Sequence, residues 1–256
     1  MVSQQFENFV VVGTQRTGSS LLAEQLSLHS EIACGWEWTE TLAPWRKVPA
    51  MESALAGNFK QLPEAELQHI QSQIAAQTRS LGFRRLFGAS NKWLLHPRFS
   101  AKLMWDRFSS HLHWFRSHPN VAIIHIVRTD DVAWLRSKYA SKSTGTYVGK
   151  EYPQDLQVTI PINEAIARLT SKSWVDGQLA SLGHSNPYLR VNYECFVEAQ
   201  DQHLDRCFDL LGCSRRQMKT GSGELRKQAK RPDHEYIANF EELNSALLAH
   251  GFQGQQ

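Results

Sequence analysis

Apolar positions along this chain fall into short unbroken runs separated by longer stretches of helical spacing. That is the pattern of buried parallel strands alternating with amphipathic helices. Phe9-Val10-Val11-Val12 and Val121-Ala122-Ile123-Ile124-His125-Ile126-Val127 are the clearest runs, and the second predicts the most deeply buried strand. Residues 100–105 and 188–194 read as further strands, and Ile32-Ala33-Cys34-Gly35 as a short apolar stretch. Leu21, Leu22, Leu26 and Leu28 recur at helical spacing, as do Ile162, Ile166, Leu169 and Leu179. Helices are also predicted over 64–81, 107–115, 132–142 and 200–211, the last closed by Gly212. A final helix is marked by Ile237, Phe240, Leu243 and Leu247 on one face. Strands separated by helices predict an α/β fold, a P-loop-like parallel sheet with helices on both faces.

On this reading residues 1–256 form a single domain. Residues 40–95, broken early by Pro44, Pro49 and Pro63, form a helical insertion or cap. Residues 143–160, with Gly145, Gly149, Pro153 and few apolar positions, read as a mobile loop facing the substrate.

The first apolar run passes directly into Gly13-Thr14-Gln15-Arg16-Thr17-Gly18-Ser19-Ser20, and then into the leucine-rich stretch. A strand, a tight turn and a helix start in that order leave backbone N–H groups unpartnered and pointing at one spot, which favours phosphate or sulfate. Arg16 adds a fixed positive charge, and Thr17, Ser19 and Ser20 add hydroxyl donors. A nucleoside-triphosphate loop requires Gly-x-x-x-x-Gly-Lys-[Ser/Thr]. Gly13 and Gly18 keep the glycine spacing, but Ser19 stands at the lysine position, and the strand 121–127 ends in Arg128 where a Mg²⁺-holding Asp would be needed. Moving the cation to position 16 suits a group with less charge than a terminal phosphoryl, such as sulfuryl, which is transferable without a metal.

With these features the chain resembles the sulfotransferases that use 3′-phosphoadenosine 5′-phosphosulfate (PAPS). Within them it is most similar to bacterial carbohydrate sulfotransferases of the trehalose 2-sulfotransferase type. The loop 13–20 resembles their 5′-phosphosulfate loop, Lys102-Leu103-Met104-Trp105 their second strand, Arg128 with Ser137 their 3′-phosphate motif, and Leu225-Arg226-Lys227-Gln228-Ala229 their late basic loop. The resemblance implies PAPS as sulfuryl donor, adenosine 3′,5′-bisphosphate as product, no metal, and an acceptor hydroxyl on a carbohydrate or glycolipid. It implies donor contacts from Gln15, Arg16, Thr17, Gly18, Ser19, Ser20, Arg128, Ser137, Tyr193 (toward adenine), Arg226, Lys227 and Gln228. Arg136 competes with Ser137 for the 3′-phosphate, and an ion pair with Asp130 or Asp131 is the structural alternative for Arg128.

Glu37 matches the position of that group's proposed base. Its flanking Trp36 and Trp38 would desolvate it and raise its pKa toward the working range. Glu40 is the competitor, and Lys102, a lysine on a strand, is a candidate for contact with the sulfuryl group or acceptor. Two rival functions stay open: a metal-dependent P-loop phosphotransferase and a non-catalytic nucleotide-binding module.

Composition narrows the partners. A net charge of +3 and mean hydropathy of −0.42 fit a soluble protein with an ordinary core and give no argument for nucleic acid or a membrane surface. Cys34, Cys195, Cys207 and Cys213 form no Cys-x-x-Cys pair, so free thiols in a reducing compartment are expected. The polar N-terminus ahead of a four-residue apolar run offers no leader or integral membrane segment, which makes the cytoplasm the expected location. A homo-oligomer stays open.

Overall fold

The computed structural model describes residues 8–29, 31–35, 98–104, 112–147, 151–214 and 231–253. Five parallel strands form one sheet: β1 (Asn8–Gly13), β2 (Ile32–Gly35), β3 (Arg98–Met104), β4 (Val121–Val127) and β5 (Tyr188–Asn192), in the order β2-β3-β1-β4-β5. Every residue of β1 and β4 is buried, which is why both read as unbroken apolar runs rather than alternating ones. The expected strand 121–127 is found to the residue. The apolar stretch at 32–35 is the edge strand, and the strand expected at 100–105 lies slightly earlier, with its register against β1 set by Gly13 opposite Met104.

Helices cover both faces. On one, α1 (Ser19–Leu26) sits beside α5 (Tyr193–Glu198) and α6 (Gln200–Leu211); Leu22, Leu26, Phe196, Phe208 and Leu211 pack there on Phe9, Val11, Ile124 and Ile126. The short α2 (Leu112–Ser117) leads into β4 and falls at the C-terminal end of the helix expected at 107–115. On the other face, α4 (Ile162–Ala180) contacts β1 and β4. Its Ala165 and Leu169 join a second apolar cluster with α3 (Asp131–Thr144), α7 (Asp233–Tyr236), α8 (Phe240–Ala249) and the 152–160 segment. The segment 143–160, expected as a mobile substrate loop, thus begins inside α3, and its Tyr152, Val158 and Ile160 are buried. No helix among the described residues is long and apolar enough to cross a membrane.

The expected strand 188–194 ends early. Asn192 accepts the Cys195 N–H on its side-chain oxygen at 2.9 Å and starts α5, so Tyr193 and Glu194 belong to a helix rather than to the sheet. The helix 200–211 ends as expected on Gly212, which takes the left-handed conformation at φ 63°.

A buried polar chain fastens α4 to the sheet. His125 Nδ1 lies 2.7 Å from the Tyr188 hydroxyl and its Nε2 3.4 Å from Asp176; Lys172 bridges Asp176 at 3.4 Å and Asp131 at 3.5 Å. Burial pushes the Tyr188 phenol up to about 12, so it stays neutral. Burial lowers the His125 pKa from 6.5, opposed by Asp176 and reinforced by Arg190 and Lys172. The unfolded chain therefore binds this proton first, and the stability His125 contributes is complete above pH 6.5 and falls as pH drops below it. Thermal melts should show the midpoint declining on acidification from about pH 7 to about pH 5.5, with a shallower decline in His125→Gln.

Candidate active site

The loop expected to hold an anion closes the C-terminal end of β1 and sits at the centre of the sheet's carboxyl edge, where ligands bind in open parallel sheets. Gly13 is required by proximity: a Cβ there would stand 2.7 Å from the Ile126 carbonyl oxygen and 2.8 Å from Thr17 Oγ1. Gly18 is required twice, by its φ of 85° and because a Cβ would meet the Tyr193 ring at 2.2 Å. It also starts α1 without a side-chain cap, and no acidic residue lies in the first turn. The positive end of that helix is thus left to whatever enters the loop.

Two long-range bonds hold the loop in place. Trp134 Nε1 donates to the Gln15 carbonyl at 2.7 Å, and Arg128 NH1 to the Arg16 carbonyl at 3.4 Å. Thr17 is fully buried and its hydroxyl donates to the Thr14 carbonyl at 2.8 Å, so this side chain shapes the loop and leaves ligand contact to its backbone. The Thr14 hydroxyl is buried with no hydrogen-bond partner among the described residues. Ser20 accepts from Lys102 Nζ at 2.9 Å, which brings the buried strand lysine onto the start of α1 and leaves the serine proton for another acceptor.

Arg16 has a positive φ, 68°, unusual for a residue with a side chain and costing roughly 1 kcal/mol. Its guanidinium reaches α3 and the following loop: Nε donates to Ser137 Oγ at 3.0 Å, NH2 to the Tyr152 hydroxyl at 3.1 Å and NH1 to the Tyr147 carbonyl. The arginine expected at the 5′-phosphosulfate and the serine expected at the 3′-phosphate are therefore in direct contact. Arg136 points elsewhere. It is buried in an ion pair with Asp233 and lies over the Tyr236 ring at 5.6 Å. Burial pushes its pKa down and the Asp233 carboxylate pushes it back up.

Arg128, at the end of β4, is 7% exposed, stacks over the Tyr193 ring at 5.0 Å and keeps its Nε 3.6 Å from Glu194. The structural alternative weighed from sequence was an ion pair with Asp130 or Asp131. Asp130 instead caps α3 by accepting from Ala133 N at 2.8 Å, and Asp131 faces Lys172. Glu194 in turn accepts from Thr129 N and Oγ1, both at 3.1 Å, and from Asp130 N at 3.3 Å. Arg128 Nε is left buried beyond hydrogen-bond reach of any described group. A buried guanidinium with an Nε short of a hydrogen bond, beside an uncapped helix start, is an arrangement an anionic ligand can complete.

Glu37, Glu40, Arg226, Lys227 and Gln228 lie outside the described residues. Tyr193 is near the loop, packed against Gly18 and under Arg128, on a helix start rather than a strand. Tyr152, Trp134, Glu194 and Asp233 were not singled out from sequence, and each joins the site to a segment remote along the chain. One mixed cluster elsewhere brings His29, Glu31 and Cys213 within 4.8 Å of one another. His29 Nδ1 accepts from Glu31 N at 3.1 Å, so Nε2 carries the proton and donates to the Ser214 carbonyl at 2.9 Å. In that state the ring has no lone pair for a metal.

Among solved structures, the sulfotransferase domain of the Synechococcus PCC 7002 olefin synthase superposes with a TM-score of 0.49 at 14% identity, covering 100% of this chain and 92% of that one. A sulfotransferase from Alicyclobacillus acidocaldarius gives 0.48 at 16% identity, covering 94% and 91%. A search of curated proteins returned no match. The profile described as "Sulfotransferase family" matches residues 8–217, from the first residue of β1 to beyond the end of α6 and so across all five strands. The chain belongs to the sulfotransferase family.

Proposed function

We propose that this sulfotransferase takes its sulfuryl group from PAPS and delivers it to a hydroxyl of a carbohydrate or glycolipid, as an enzyme of the trehalose 2-sulfotransferase type working in the cytoplasm. The observation that carries the donor is Arg128. A buried guanidinium whose Nε faces Glu194 at 3.6 Å without a hydrogen bond, at the end of a central strand, suits a second anionic group, the 3′-phosphate, which PAPS has and ATP lacks. Ser137 rather than Arg136 suits the same phosphate, because Arg136 is already paired with Asp233 while the Ser137 hydroxyl accepts from Arg16 and keeps its own proton to donate.

PAPS supplies a sulfuryl group on a phosphate leaving group, so the acceptor oxygen gains sulfur and loses a proton. The backbone N–H groups at the start of α1, with the Ser19 and Ser20 hydroxyls and the Gln15 side chain, hold the 5′ end. Lys102, bonded to Ser20 and 3% exposed, brings positive charge to the side of the loop next to β3, where negative charge grows as the bond to sulfur breaks. Arg16 supplies charge to the same end from the α3 side. Tyr193 carries Arg128 on its ring and lies where adenine would approach, and Arg226, Lys227 and Gln228 are assigned to the donor's phosphates. Glu37 takes the acceptor proton.

Calorimetric titration with adenosine 3′,5′-bisphosphate, in buffer containing a chelator, is expected to show saturable one-to-one binding. Binding of ATP that requires Mg²⁺, with no binding of the bisphosphate, would replace this reading with a phosphotransferase.

A further inference from the structure

Donor chemistry alone gives no reason for a buried phenol to be aimed at the phosphate-loop arginine. Tyr152 comes from the loop after α3, is 6% exposed and sits edge-on to Tyr236 at 6.2 Å. Its hydroxyl lies 3.1 Å from Arg16 NH2, 3.1 Å from Ser141 Oγ and 3.3 Å from the Ser137 carbonyl. A guanidinium can only donate, which fixes the direction of the first bond. The phenol oxygen accepts from Arg16 and can send its own proton to Ser141 or to the Ser137 carbonyl. Ser141 Oγ donates to that same carbonyl at 2.7 Å, and Ser137 Oγ accepts from Arg16 Nε at 3.0 Å. Arg16, Tyr152, Ser141 and Ser137 thus form a closed ring of hydrogen bonds. Within it the Ser137 hydroxyl receives a bond and keeps its proton for an acceptor outside.

We infer that Tyr152 is a positioning residue of the donor site: it fixes the Arg16 guanidinium, and through it the Ser137 hydroxyl, in the orientation that the donor's phosphates meet. The inference rests on the PAPS reading above. The physical basis is the cost of the alternative. Arginine is a long, rotamer-rich side chain, and an unheld one has to be ordered when the ligand arrives. Phenylalanine would fill the same volume against Tyr236 but leave Arg16 NH2 without this acceptor and the ring open. Satisfied buried polar networks of this kind hold their members rigidly, and double-mutant cycles separate such coupling from a general effect on the fold.

The test is a cycle on adenosine 3′,5′-bisphosphate affinity using Tyr152→Phe, Arg16→Ala and the double variant, each checked by thermal melting. Tyr152→Phe is expected to weaken binding about tenfold when Arg16 is present and by less than about twofold when it is absent. Ser141→Ala removes one arm of the ring, leaving the phenol its 3.3 Å bond to the Ser137 carbonyl, and should give a smaller loss with the same dependence on Arg16, so a poorly folding Tyr152→Phe would not remove the test. An equal loss in both backgrounds, or no loss with Arg16 present, overturns the positioning role while leaving the donor reading intact. Absence of binding by the wild-type protein overturns the donor reading and this role with it.

Discussion

Replacing Arg128 with alanine is expected to weaken adenosine 3′,5′-bisphosphate binding by about two orders of magnitude, corresponding to roughly 3 kcal/mol. The size follows from burial. Arg128 is 7% exposed, so a phosphate on it meets a charge that is little screened by solvent or salt. The fold should survive the change. Glu194, the carboxylate left behind, still accepts from the Thr129 backbone and hydroxyl and from the Asp130 backbone, and its side chain is 30% exposed. What the substitution removes is the guanidinium over Tyr193 and its bond to the Arg16 carbonyl, both at the loop rather than in the core. Arg128→Lys should fall between the two, because it keeps a charge but loses the planar fork. Calorimetry gives the affinities and scanning calorimetry the thermal midpoints. A loss under about threefold in Arg128→Ala, with a normal melt, would take the 3′-phosphate away from this residue.

Sequence pattern was most informative where physics is local. The run 121–127 was legible because a central parallel strand is buried on both faces, and 200–211 because Gly212 alone there can take the left-handed cap cheaply. The strand expected at 188–194 ends early, since Tyr193 extends the strand-like composition in sequence only; the deciding signal is Asn192, whose side chain offers the Cys195 N–H an alternative to the ladder. The loop 13–20 and Arg128 were readable for a related reason. Both directly follow buried runs, and such positions fall on the carboxyl edge of a parallel sheet. The partners of these residues were not readable. Proximity in sequence offered only Asp130 or Asp131 as protein partners for Arg128, but Asp130 caps α3, and Glu194 arrives from another strand end. Tyr152 and Asp233 show the same limit: apolar periodicity locates the core, and carries no information about which buried polar side chains face each other.

Glu37→Gln should cut turnover by roughly 10²–10⁴-fold, the usual contribution of a positioned general base, while leaving adenosine 3′,5′-bisphosphate affinity within about twofold. The chain path supports the role. β2 runs parallel to β3 with Gly35 opposite Ala101, so the backbone leaves the sheet at Gly35 on the same carboxyl edge as the phosphate loop and Arg128. Glu37 follows immediately. In the strand order β2-β3-β1-β4 the phosphate loop lies between this exit and Arg128, with Lys102 on the intervening β3. Glutamine keeps the size and the hydrogen-bonding oxygen of the side chain but cannot take the acceptor proton, which is why rate and affinity should separate. The measurement is transfer from labelled PAPS to a panel of sugars, glycolipids and small alcohols, scored by mass spectrometry beside calorimetric affinities. Turnover retained in Glu37→Gln would move the base to Glu40. Turnover and affinity lost together, with a lowered melting point, would make Glu37 a residue of the fold rather than of the chemistry.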